Sequence, residues 1–263
     1  MSYTSTVPGG TALGVGSIVS ESFSILMRNL VSVVVLALVP TLIGYAISGL
    51  LVGWGPALGV ADPVFTSAGD FIPFGLSMVA QIVTYGVTTA LLVQLAYDAK
   101  LGRSSPLGKY LGPALAAAVP IAVLGFVAGI LMGIGLIALV IPGLWIYAVF
   151  SVMPAAVVIE RVGFGGLGRS AALTKDYRWP ILGAIILVGI VNIVISLIAT
   201  FVVGLLVAAI GIGAGGIVIG ILLLSAISAI GFGLSSIAVA LIYARLREIK
   251  EGTSVRDIAA VFD

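Results

Sequence analysis

The sequence contains no cysteine and no histidine, and its 12 basic and 10 acidic residues are few for 263 positions. Without cysteine there is no disulfide and no thiol nucleophile. Without histidine the commonest general base and the commonest transition-metal ligand are also missing. Charged residues make up 8% of the chain, against about 25% in an ordinary soluble domain. So few charges cannot build a water-facing surface, which excludes a soluble globular enzyme. What is present is apolar: 61% of residues are hydrophobic and the mean hydropathy is +1.31. The composition is that of a membrane protein.

The charges mark out the spans. None occurs over 29–61, 71–97, 110–159 or 179–244. A spanning helix needs about 20 apolar residues. The first two stretches hold one span each. The third is interrupted by Ile141-Pro142-Gly143 and the fourth by Gly211 to Gly216, and such Pro and Gly signals punctuate helices. The prediction is an all-α polytopic protein, a single membrane domain over 1–263. Six transmembrane helices, near 30–52, 74–97, 114–140, 143–159, 180–209 and 217–244, form three hairpins. Helices are required because lipid satisfies no backbone donor, and the runs lack barrel alternation. The 143–159 span is short, so the turn before it must be tight. Pro40, Pro120 and Pro154 fall within spans and are expected to bend them.

Six spans place both termini on one side. That side receives Arg28, Lys100, Arg103, Lys109, Arg161, Arg169, Lys175, Arg178, Arg245, Arg247, Lys250 and Arg256, all 12 bases, while the other has Asp62 and Asp70. The positive-inside rule predicts cytoplasmic N- and C-termini in a cell's inner membrane. The first 27 residues lack a basic start and contain Glu21, so the first span is expected to be a retained anchor rather than a cleaved signal. The pI near 9.0 then reports topology, and no nucleic-acid partner is expected.

Each hairpin is preceded by a cytoplasmic segment. Over 11–28, Val19, Phe23, Leu26 and Leu30 share one helical face, and Ser17, Glu21, Ser24 and Arg28 the other. This is the pattern of an interfacial amphipathic helix. Lys109-Tyr110 and Arg178-Trp179 stand at the second and third entries. Either the three units are an internal repeat, or these residues anchor span ends as they do generally. The tail, 245–263, continues the last span; Ser254 can cap a short helix carrying Val255, Ile258, Ala259 and Phe262.

The basic segment 160–178 holds the chemistry-bearing candidates. Gly163 to Ser170 nearly fits a phosphate-binding loop, but Arg169 stands where lysine is required and the segment follows a membrane span. A nucleotide site is therefore not expected. Gly-rich backbone with Arg169 and Ser170 at a helix start is either a place for a lipid phosphate or a hinge with a solvated arginine. Arg161, Arg169, Ser170, Lys175 and Arg178 are the candidate lipid-headgroup contacts. Glu160 is expected to form a structural ion pair with Arg161, Arg169 or Lys175. Within the spans no charge is present. The neutral candidates Gln81, Thr88 and Asn192 either hydrogen-bond between helices or line a polar groove. Gly125, Gly129 and Gly133 form a small-residue stripe expected to pack helices closely. Nothing in the sequence calls for a metal or cofactor.

Ile141-Pro142-Gly143-Leu144-Trp145, Met153-Pro154-Ala155, Val158-Ile159-Glu160, Gly168-Arg169-Ser170, Leu173-Thr174-Lys175 and Arg178-Trp179 form one block. It resembles that of the bacterial six-span membrane proteins grouped with the membrane domain of glycerophosphoryl diester phosphodiesterases. The start, Ser22-Phe23 to Arg28-Asn29 before an apolar run, is similar to theirs as well. The resemblance implies the six-span fold and a link to membrane lipids. Family members can carry a soluble phosphodiesterase barrel after this domain; the resemblance here covers the membrane part alone, so no hydrolase activity is expected. The expected function is a non-enzymatic integral membrane accessory or membrane-organising protein whose partners are membrane lipids and other membrane subunits. The alternative is a transporter or lipid-moving protein with a neutral polar groove.

Overall fold

The computed structural model describes residues 13–57, 61–103, 105–210 and 214–252. It is all-α, with no strand among the described residues, and has six helices long and apolar enough to cross a membrane. Ten helices follow in order: α1 Val15–Arg28, α2 Leu30–Val52, α3 Trp54–Ala57, α4 Phe71–Lys100, α5 Leu111–Ala138, α6 Val140–Phe150, α7 Met153–Ile159, α8 Gly166–Thr174, α9 Arg178–Ile210 and α10 Ala214–Glu251. The spans are α2, α4, α5, α6 with α7, α9 and α10. The expected tail helix on Val255–Phe262, residues 211–213 of the glycine turn and the first two residues of 11–28 lie outside the described residues.

The hairpins pack α2 on α4, α5 on α6 and α9 on α10. The second limbs α4, α7 and α10 also touch one another. They form an inner triangle, with α2, α5 and α9 around it. Burial follows this plan: in their most apolar stretches the second, fourth and sixth spans are 44%, 44% and 50% buried, the other three only 22%. Exposed Val, Leu, Ile and Phe crowd onto α2, α5 and α9, where hydrocarbon is the solvent. The hairpin arrangement occurs three times, but the element that precedes it differs. It is a helix before the first and third hairpins (α1, α8) and only the 3-10 turn Leu107–Tyr110 before the second.

Two sequence expectations need correction. The turn before the fourth span is not at Pro142-Gly143. It is the single extended residue Leu139 (φ −166°), and Pro142 lies in the first turn of α6, where its missing N–H costs little. A Cβ on Gly135 would stand 2.9 Å from the Gly143 Cα, and one on Gly143 would stand 2.8 Å from the Leu136 nitrogen. These two glycines make the one-residue connection possible. The span also breaks at Ser151-Val152, with Pro154 in the first turn of α7. Pro40 and Pro120, by contrast, lie inside the continuous helices α2 and α5.

The second correction concerns α1. Its buried residues are Ile18, Ser22, Ile25 and Leu26, so the apolar face is rotated from Val19-Phe23-Leu26-Leu30, and Val19 and Phe23 are only partly buried. The helix docks on α10 and α9. Ser22 is tolerated there because its hydroxyl donates to the Ile18 carbonyl (2.7 Å). Lys100 Nζ meets Glu21 at 2.6 Å and ties α1 to the end of α4.

Candidate functional site

At the charged end of the bundle, α7 ends at Glu160. The chain then reverses through Arg161 in the left-handed region (φ 55°) and enters α8. Arg169, one turn into α8, donates Nε to Glu160 Oε2 (2.7 Å) and Nη2 to Oε1 (2.9 Å). This hydrogen-bonded pairing raises the Arg169 pKa above its ordinary value. The Tyr243 hydroxyl donates to Glu160 Oε1 (2.6 Å). Arg247, 3.7 Å from the same oxygen, donates to Glu251 Oε2 (2.7 Å), and Glu251 also pairs with Arg169. Lys250 donates to the Ala172 carbonyl (3.2 Å) and lies 3.7 Å from Asp176. The Glu160–Arg169 ion pair is therefore present, inside a network that locks α7, α8 and α10 together.

This geometry revises the headgroup set. Ser170 is fully buried, and its hydroxyl donates to the Val149 carbonyl (2.8 Å). Thr174 donates to the same carbonyl at 3.1 Å. Ser170 is thus a strut between α8 and α6, with no hydroxyl at the surface to meet a headgroup. Arg169 is occupied by two carboxylates. Of the remaining three, Lys175 is exposed just past α8. The Arg178 guanidinium lies over the Trp145 ring (5.5 Å), and Trp145 meets Trp179 edge-on at 5.0 Å. Arg161 borders a cleft of about 220 Å³ that is also lined by Arg103, Lys109, Asp98 and Tyr110 and by the apolar Pro113, Val158 and Ile159. The five predicted residues do not converge. Arg161 instead joins two cations from the α4–α5 connection.

The neutral intramembrane candidates divide as well. Gln81 donates to Ser48 Oγ (3.0 Å), joining α4 to α2, and Asn192 donates to Ser235 Oγ (2.9 Å), joining α9 to α10. Thr88 donates back to the Thr84 carbonyl (2.8 Å). Two cavities flank α4. One, of about 450 Å³, lies between α2, α4 and α10 and is bordered by Gln81 and Thr88. The other, of about 460 Å³, lies between α4, α5, α6–α7 and α10 and is bordered by Gln81, Tyr85, Thr89 and Tyr147. Tyr85 and Phe232 border both cavities, and their rings meet edge-on at 5.3 Å. Asn192 borders neither.

The Gly125-Gly129-Gly133 stripe does not pack helices in this chain. A Cβ at any of the three would meet nothing within 4 Å, and Gly125 and Gly129 border the 460 Å³ cavity. Close helix approach occurs at other glycines. At Gly86 a Cβ would stand 2.8 Å from the Ala118 carbonyl oxygen, and at Gly233 it would meet Val33. The stripe opens a space because α5 turns it toward the gap beside α4, not toward a partner backbone.

Among the described residues no three acidic side chains gather as a metal-holding set. Compared with family models, curated proteins and solved structures, the chain matches none. Sequence reasoning missed Tyr243, Arg247 and Glu251, although their i, i+4, i+8 spacing places them on one helical face. It also missed Tyr85 and Tyr147, whose cavity depends on how four helices meet.

Proposed function

We propose that this is a non-enzymatic multi-pass protein of a cell's inner membrane, with both termini cytoplasmic. It acts as an accessory or membrane-organising subunit whose charged end engages anionic phospholipid headgroups. The observation that carries this reading is the cleft bordered by Arg103, Lys109 and Arg161, with one carboxylate and apolar side chains. Three cations in one cleft with apolar side chains match a phosphate with the start of its acyl chains. Kinship with the six-span family resembled by the 141–179 block belongs to the same proposal. The concentration of bases at one end supports the orientation.

The experiment is lipid retention after purification from bilayers of mixed anionic and zwitterionic lipid, read by mass spectrometry. Wild type should enrich anionic lipid, and Arg103→Ala/Lys109→Ala/Arg161→Ala should lose the enrichment. Equal retention of both lipids by wild type would refute the reading. The absence of cysteine makes topology directly testable: Lys100→Cys and Lys175→Cys should react with an impermeant maleimide from the same face, Asp62→Cys from the other. A second reading, movement of lipid across the bilayer, is favoured by the two cavities flanking α4 and is tested by flux in liposomes.

A further inference from the structure

We infer that the cavity between α4, α5, α6–α7 and α10 is a binding site for an uncharged amphiphile drawn from the bilayer. The ligand class is an aliphatic or isoprenoid body with a hydroxyl or carbonyl head. Its volume of about 460 Å³ lies within the range of small-molecule sites. One wall is the face of α5 carrying Gly125 and Gly129, where added side-chain atoms meet nothing. Small residues normally let a second helix approach; here they leave a slot for an extended chain. Tyr85 and Tyr147 line the same space. Among the described residues none that borders the space is charged. A charged head would enter without a counter-ion, which hydrocarbon surroundings penalise heavily. The ligand is therefore neutral.

Thr89 places the head. It is 5% exposed, borders the cavity, and its Oγ1 is buried without a hydrogen bond. The Tyr85 hydroxyl one turn earlier, which also borders the cavity, lies near enough to interact with it electrostatically but does not meet hydrogen-bond distance and angle. The neighbouring Thr88 satisfies its hydroxyl on the helix's own backbone; Thr89 does not. An unmet hydroxyl in a low-dielectric interior is costly, and a ligand hydroxyl or carbonyl relieves it. Chain slot, absence of charge and unmet hydroxyl meet in one space, and none of them depends on the headgroup cleft.

The test uses the full chain in phosphatidylcholine nanodiscs with a long-chain alcohol bearing a mid-chain diazirine, and its matched carboxylate. On irradiation the alcohol should label peptides of α5 and α6, and the carboxylate should label them much less. Gly125→Leu/Gly129→Leu fills the slot and should abolish that labelling. Gly183→Leu on α9, where a Cβ also meets nothing, should leave it unchanged. Thr89→Val keeps the shape and should weaken competition by unlabelled alcohol about fivefold, the effect of one hydrogen bond. It carries the test if the double leucine variant fails to fold. Equal labelling of wild type and the filled variant, equal labelling by the carboxylate, or an unchanged Thr89→Val would each overturn the inference.

Discussion

Replacing Glu160 by glutamine isolates the contribution of the network at the charged end. The Glu160 carboxylate receives two hydrogen bonds from Arg169 and one from Tyr243, and its side chain is 16% exposed, against 28% for Arg169. An exposed ion pair contributes about 0–1 kcal/mol, whereas breaking a fully buried one costs about 3–5 kcal/mol. The observed burial lies between these limits, and the bidentate geometry favours the upper half, so Glu160→Gln should cost about 2–3 kcal/mol. For a chain of this size that corresponds to a fall in Tm of about 5–10 °C, measured by tryptophan fluorescence in neutral detergent. Arg169→Ala, which also removes the pair with Glu251, should cost at least as much, and the double variant less than the sum of the two, because both remove the Glu160–Arg169 interaction. The loss should also change little between low and high salt, unlike that of a solvent-exposed pair. A loss below about 0.5 kcal/mol, or strict additivity of the two substitutions, would refute the argument.

Gly143→Ala should destabilise by about 1–3 kcal/mol, the usual cost of overpacking, since its Cβ meets the Leu136 backbone nitrogen. Gly133→Ala, with open space around it, should be neutral or stabilise by up to about 1 kcal/mol through helix propensity; thermal scans of the two variants decide. Ser170→Ala with Thr174→Val removes both hydroxyls from the Val149 carbonyl and should cost about 1–3 kcal/mol, with no change in lipid retention, since neither hydroxyl faces a headgroup.

The six spans were legible because the charge-free stretches and the Pro and Gly signals act through short-range physics: a helix must cover the hydrocarbon, and it breaks where its backbone cannot continue. The Glu160 pair was legible for a similar reason, a lone acid among bases at a span end. Tertiary geometry was not. The face of α1 that became buried was set by the seam between α9 and α10, a surface absent from the local pattern. Ser170 resembled a phosphate ligand because sequence records its neighbours along the chain and not Val149 across the gap. The stripe at Gly125, Gly129 and Gly133 carries the same sequence signal whether it meets another backbone or a void, and only the placement of α4 and α6 distinguishes the two.

The described ion pairs gather at one end of the bundle, where Glu21, Lys100, Glu160, Arg169, Arg247 and Glu251 link the helices. The opposite end is held by van der Waals contact, such as Gly135 on Gly143 and the ring cluster of Phe65, Phe71 and Phe74. The two ends therefore differ in stiffness. Under heat or a poorly matched bilayer, the helices should splay first at this opposite end while the ion-paired end acts as a pivot. Hydrogen exchange should accordingly begin near Gly53 and Leu139 well before it reaches Tyr243.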